Sequence, residues 1–233
     1  MRGVLFDLDG TLLDIDLDTF LARYFGALGP VVADVIGTHD HRAALDAVMG
    51  ATQAMMTSHP GMTNQEVFDV RFAEMTGADI RTSFQVLDDF YAKVFPALGE
   101  GMGPNEGARE AVAVARDLGL KVAVATNPIF PAAAVRERLR WAGLGDVAFD
   151  VVTTYENMHA CKPDPEYFHE TAELIGAAAE DCVMVGDDPS LDMPAAATGM
   201  FTFYVGDSGQ PHGTARGSLL DFAELLPHLA HRT

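Results

Sequence analysis

Lysine is scarce in this 233-residue chain: Lys93, Lys121 and Lys162 are the complete set, and the remaining basic residues are arginine. Acidic residues number 34 against 15 basic ones, a net charge of −19 at pH 7. Such a field disfavours non-specific binding to nucleic acid or to an anionic membrane surface. An anionic substrate would need a cation and one or two well-placed basic residues set against it. Cysteine is almost absent: Cys161 and Cys182 form no CxxC pair, so neither a zinc site nor a disulfide framework is indicated. Nothing reads as a signal peptide, because the first apolar run, Val4–Phe6, breaks at Asp7 and Asp9. No stretch reads as long and apolar enough to cross a bilayer. A cytoplasmic protein with no nucleic-acid and no membrane partner is expected.

What is present is organised around Gly3–Leu13, GVLFDLDGTLL. Val4, Leu5 and Phe6 suit a buried parallel strand. Side chains alternate along extended chain, so Asp7 and Asp9 share a side while Leu8 points back into apolar surroundings. Gly10 permits a sharp turn. Two carboxylates at the carboxyl end of a strand sit where open α/β sheets place ligands. Close carboxylates repel, so one holds a proton or a cation lies between them. Such a pair can supply a nucleophile and a general acid or base. The same residues also serve as simple turn chemistry, and this stretch alone leaves both readings open.

After Thr11 the period becomes helical. Asp18 is a candidate N-cap for a helix carrying Phe20, Leu21, Tyr24, Phe25 and Leu28, interrupted at Gly29-Pro30 and continued by Val31–Ile36 before Gly37. A second helical segment covers 40–56 and breaks at Ser58–Gly61. Thr63 and Glu66 form a capping box for a third, ending near Gly77, and 82–95 reads as a fourth. Gly99–Gly103 reads as a hinge. Strand and helix then alternate: strands at 121–125, 149–153, 182–185 and 200–205, helices at 106–118, 131–141, 165–175, 190–197 and 219–229, and a loop at Gly206–Gly217. Alternation implies a parallel sheet covered on both faces. The expected fold is α/β: a Rossmann-like parallel sheet with helices on both faces and an inserted all-α cap. Residues 1–15 and 98–233 make the core, and 16–97 the cap.

Three strands end in polar residues: Asp7 and Asp9, then Thr126 and Asn127, then Asp187 and Asp188, with Asp192 one turn on. Lys162 stands in Cys161-Lys162-Pro163-Asp164-Pro165, just before a helix. A carboxylate nucleophile, a proton donor, a hydroxyl, a cation and acidic metal ligands suit phosphoryl transfer.

These residues resemble the haloacid dehalogenase (HAD) superfamily of hydrolases. Asp7-Leu8-Asp9-Gly10-Thr11 matches its first motif and Val122–Thr126 its second. Lys162-Pro163 matches the third and Gly186-Asp187-Asp188 with Asp192 the fourth. The four occur in order along the whole chain, and the helical insertion resembles that family's C1-type cap. The resemblance implies a Mg²⁺-dependent phosphatase acting on a small phosphorylated metabolite. In it, Asp7 is the nucleophile that carries an aspartyl-phosphate, and Asp9 is the acid and base. Thr126 and Asn127 bind the phosphoryl group, and Lys162 steadies it together with Asp7. Asp7, Asp9 (through its backbone carbonyl) and Asp187 hold Mg²⁺. A phosphomutase or a 2-haloacid dehalogenase of the same superfamily is the alternative; Asp9 counts against the dehalogenase, because a departing halide needs no proton. A phospho-receiver module is a remoter one, opposed by the long helical insertion. Asp14, Asp16 and Asp18 read as hinge and cap residues, His39 and His41 as a solvated loop. His159 is near enough to Lys162 in sequence to reach the pocket. Arg23, Arg42, Arg71, Arg81 and Lys93 are candidates to read an anionic leaving group. Oligomeric state is not readable.

Overall fold

Four buried residues, Gly3–Phe6, form strand β1 at the centre of the sheet. A computed structural model describes residues 1–57, 59–206 and 213–230. Ser58, at the expected break after the second helix, and 207–212 of the expected loop lie outside the described residues. The strands that follow are β2 (Leu13–Asp14), β3 (Gly103–Pro104), β4 (Lys121–Val124), β5 (Val151–Val152), β6 (Cys182–Gly186), β7 (Phe201–Val205) and β8 (Ala215–Gly217). Six of them make one parallel sheet in the order β5-β4-β1-β6-β7-β8. Phe6 stands level with Val124 on one side and Val185 on the other. The chain leaves β1 in both directions, so the crevice beyond its carboxyl end is the switch point where such sheets take ligands.

Alternation along β1 divides the core. Val4 and Phe6 enter one apolar cluster and Leu5 the other. The first cluster takes up α5 (Ala108–Asp117) and α8 (Leu219–Ala230), with the rings of Phe6 and Phe222 5.7 Å apart, edge to face. The second takes up α7 (Pro165–Leu174) through Tyr167, Phe168 and Ala172. Helices therefore cover both faces, as the alternating pattern implies. Helix α6 (Ala132–Trp141) joins the first cluster, and Pro131 is its N-cap rather than part of its first turn.

Between β2 and β3 lie α1 (Leu17–Ile36), α2 (His41–Met55), α3 (Asn64–Thr76) and α4 (Phe84–Lys93). The capping box forms as expected: the Thr63 N–H donates to Glu66 at 2.8 Å and the Glu66 N–H to Thr63 Oγ1 at 3.2 Å. The cap of α1 is Asp16 rather than Asp18, its carboxylate accepting from the Thr19 N–H at 2.8 Å. α1 continues to Ile36 before Gly37 as expected, but without a break at Gly29-Pro30. Gly29 is buried where a Cβ would meet Leu45 of α2 at 3.3 Å, so it serves close helix packing, and packing outweighs the hydrogen bond that Pro30 cannot make. The resulting helix of 20 residues is, by length and composition, apolar enough to cross a membrane, against the sequence expectation; here Phe20, Tyr24, Leu28 and Val32 bury one face.

Four further differences are local. The expected hinge includes β3, which pairs antiparallel with β2 (Leu13 with Pro104, Asp14 with Gly103), joining the chain on either side of the helical block. The segment 215–217, expected as loop, is the edge strand β8 beside β7; three residues on a sheet edge carry no apolar alternation to read. Residues 193–198 form a 3₁₀ helix with Pro194 in its first turn, shorter than the helix expected at 190–197. α4 is flanked by 3₁₀ turns at 80–83 and 95–99.

Candidate active site

The Asp7 N–H donates to Val185 O at 2.9 Å, which prolongs the β1–β6 pairing one residue past β1 and delivers the Asp7 carboxylate to the crevice. Leu8 is fully buried on the opposite side. Gly10 then turns with φ +84°, and a Cβ there would lie 2.3 Å from Asp187 Oδ2, so both conformation and space require glycine. The Thr11 hydroxyl donates to Asp187 Oδ1 at 2.8 Å. Asn105 secures the turn from below, its Nδ2 donating at 2.9 Å to the carbonyls of Gly10 and Thr11.

Lys162 is buried at the centre. Its Nζ donates to Asp7 Oδ1 at 2.7 Å and to Asp192 Oδ1 at 2.6 Å, and its own N–H donates to Asn127 Oδ1 at 3.1 Å. Burial alone would lower the Lys162 pKa, but Asp192 and Asp7 outweigh it and hold the ammonium charged. Burial pushes Asp7 well above the ordinary carboxylate range, with Lys162 opposing and Asp192 and Asp187 adding to it. Asp187 is raised for the same first reason. Asp192 Oδ2 accepts the Asp188 N–H at 3.0 Å. Gly186 makes room for that carboxylate, since a Cβ there would lie 2.1 Å from Asp192 Oδ2.

Asp7, Asp187 and Asp192 bring carboxylate oxygens within 4.8 Å of one another. Three carboxylates against one ammonium leave this cluster two negative charges in excess when ionised, and all its donors are hard oxygens. That suits a divalent cation such as Mg²⁺. Both oxygens of Asp192 are engaged by Lys162 and Asp188, and Asp188 Oδ1 accepts from the Ser190 and Leu191 N–H groups. Asp7 and Asp187 are the carboxylates left to face a cation.

Asp9 meets a residue that no motif announces. Arg138, fully buried on α6, donates from Nη1 to Asp9 Oδ2, and its guanidinium lies 4.5 Å over the Phe130 ring. Arg138 Nε and Nη2 and Asp9 Oδ1 are buried with no hydrogen-bond partner among the described residues. All these groups line one chamber of about 320 Å³, with Asp7, Asp9, Thr126, Asn127, Lys162 and Asp187 on its wall.

A family model described as haloacid dehalogenase-like hydrolase matches residues 1–199. The chain belongs to the haloacid dehalogenase-like hydrolases. Phosphatase MT3486 of Mycobacterium tuberculosis is 36% identical over 51% of this chain and 52% of its own length, so the chain spans about half of that relative. A phosphoglycolate phosphatase of Xylella fastidiosa is 28% identical over 85% of this chain and 77% of its own length. A solved HAD phosphatase from Thermococcus onnurineus superposes with a TM-score of 0.60 at 22% identity, covering 97% of this chain and 98% of that one; at that identity the likeness concerns the fold.

In this HAD-like hydrolase the six residues expected at the site converge on the one chamber. Asp188 and Asp192 line it as well, whereas the candidate histidines and cap cations do not. His159 is half-exposed and pairs with Glu170 at 2.5 Å. His39 and His41 are exposed. The basic residues considered for an anionic leaving group all lie outside the chamber. Arg23 donates to the carbonyls of Leu98 and Glu100, Arg71 pairs with Glu74, Arg81 with Asp79 and Lys93 with Asp89, while Arg42 is exposed. Arg138 and Asn105 escaped sequence reading because each acts across about a hundred residues. Only the rarity of a buried arginine would have marked Arg138.

Proposed function

We propose that this chain is a Mg²⁺-dependent phosphatase that hydrolyses a small phosphomonoester through an aspartyl-phosphate on Asp7. The observation that carries the reading is the buried Asp7–Lys162 pair, 2.7 Å apart, in a chamber shared with Asp9, Thr126, Asn127 and Asp187. The Asp7 oxygen not engaged by Lys162 attacks phosphorus, and the bond to the ester oxygen breaks. Asp9 gives its proton to the departing oxygen, then takes one from the water that attacks phosphorus and frees Asp7. The Lys162 ammonium offsets charge on Asp7 and on the phosphoryl oxygens, and the Thr126 hydroxyl donates to one of those oxygens. Asn127 holds the peptide of Lys162 in place. The carboxylates of Asp7 and Asp187 and the backbone carbonyl of Asp9 would hold Mg²⁺, which when bound would offset charge on the phosphoryl oxygens.

Asp9 also counts against the dehalogenase among the rival readings. A dehalogenase releases halide, which needs no proton, and would give Asp9 no task. A phosphomutase would retain the phosphoryl group on Asp7. A receiver module would have no use for a long helical insertion. The same reading takes 16–97 as a cap over the core of 1–15 and 98–233, and the cytoplasm as the place of action. Release of inorganic phosphate from a panel of phosphomonoesters, with Mg²⁺ and with chelator, tests it. Metal-dependent release is expected, and Asp7→Asn lowers kcat by about 10⁴-fold or more with an unchanged circular dichroism spectrum. Near-wild-type release by that variant would sink the assignment.

A further inference from the structure

A second cavity, of about 480 Å³, adjoins the Asp7 chamber and shares Leu21, Ile129 and Phe130 with it. Its volume is that of an ordinary small-molecule site, about 300–1,000 Å³. It lies between the helical block and the core. Rings dominate its wall: Tyr24, Phe25, Phe68, Tyr91, Phe130 and Tyr155. Leu28 and Val48 add aliphatic surface. The hydroxyls of Tyr24, Tyr91 and Thr52 and the Glu156 carboxylate on this wall are already hydrogen-bonded. The Tyr24 and Tyr91 hydroxyls bond at 2.9 Å, Thr52 Oγ1 donates to Val48 O at 2.9 Å, and Glu156 accepts the Ala132 N–H.

Charge on this wall has one sign. Asp69, Asp88 and Glu156 line the cavity, and among the described residues no Lys, Arg or His does. Arg81 is close enough to act on Asp69, but its guanidinium is held outside by two bonds to Asp79, at 2.8 and 2.7 Å. Arg138 belongs to the neighbouring chamber, where Asp9 engages it. A carboxylate or second phosphate on the leaving group would therefore be desolvated without a partner and repelled by three acidic residues. A polyol's hydroxyls could donate to these carboxylates, but its oxygens would find few free donors in return. Apolar ring surface would gain from burial and from edge or face contacts.

We infer that this cavity holds the leaving group and selects monophosphate esters of apolar, ring-bearing alcohols that carry no negative charge. The inference rests on the phosphatase reading above and narrows its substrate class. It departs from phosphoglycolate, for which relatives are named and whose leaving alcohol carries a carboxylate.

The test compares kcat/KM, with Mg²⁺ present, for benzyl phosphate, phosphoglycolate and a hexitol phosphate, whose ester oxygens all belong to alcohols. Benzyl phosphate is expected to lead by at least about tenfold. Two variants then address the wall itself. Met49→Arg sets a cation at the rim, at a residue already 54% exposed, and Asp69→Asn removes one acidic charge. Each is expected to shift the ratio towards phosphoglycolate by several-fold. Hydrolysis that favours phosphoglycolate or the hexitol ester would overturn the inference and leave the phosphatase reading standing. Ratios unmoved by both variants would overturn the assignment of the leaving group to this cavity. No phosphate release from any ester would overturn both.

Discussion

The Asp9–Arg138 ion pair is buried unequally: the arginine side chain is 1% exposed and the aspartate 19%. Removing a single partner from such a pair leaves the other charge uncompensated, at a cost of about 3–5 kcal/mol. Asp9→Asn strands a guanidinium that already has two nitrogens without partners, whereas Arg138→Met leaves an aspartate that the chamber can hydrate. The first change is therefore expected to destabilise more than the second. The double variant should recover part of the loss, with an interaction energy of about 1–3 kcal/mol in a denaturant-unfolding cycle. Strictly additive single effects would show that the pair contributes nothing. The arginine also fixes the direction of the Asp9 carboxylate, the group asked to give and take a proton, so α6 holds a catalytic candidate that lies on β1's own loop.

At the scale of elements, α3 is fastened to the core by its first turn. Asn64 is fully buried there. Its N–H donates to Met158 O and its Nδ2 to Pro128 O at 3.0 Å, while its Oδ1 pairs with His59 Nε2 at 2.7 Å. The Gln65 N–H donates to Tyr155 O at 2.8 Å. Asn64→Ala empties this buried contact and is expected to cost about 1–3 kcal/mol. Hydrogen exchange should accelerate at 63–66 before the sheet strands respond; unchanged protection there would mean that the contact holds nothing. Legibility in the sequence follows the range of each interaction. The capping box of α3 and the Asp7-to-Thr11 turn are local chemistry and could be read directly. The convergence of Thr126, Lys162 and Asp187 could be read because each follows or precedes a recognisable element. Asn64, Asn105 and Arg138 could not, since a polar residue looks the same in sequence whether it faces water or a carbonyl ninety residues away. The continuation of α1 to Ile36 could be read from its period, but the absence of a break at Pro30 could not, because Leu45, which packs on Gly29, belongs to another helix.

For the whole molecule, the question is how a helical block can be secured and still admit substrate. Its attachment has two characters. On the side of the hinge it is apolar: one cluster runs from Val4 and Phe6 of the sheet to Phe20, Tyr24, Phe90 and Phe95. There Phe95 stacks on Trp141 at 5.3 Å and Tyr24 meets Phe130 at 5.4 Å. At the first turn of α3 the attachment is polar and rests on Asn64 and Gln65. Hydrogen bonds can exchange with water at small net cost, whereas separating stacked rings exposes apolar surface. Opening is therefore expected at α3, with the Phe95 seam as the fixed edge. Trp141, the only tryptophan, reports on that seam. In the native chain its emission and the far-ultraviolet dichroism should melt together, because one core spans sheet and helices. Phe95→Ala removes a fully buried ring at a cost of about 3–5 kcal/mol, and the Trp141 signal should then change at lower temperature than the helical signal. Coincident melts in that variant would show that the seam does not couple the two parts, and would move the fixed edge elsewhere.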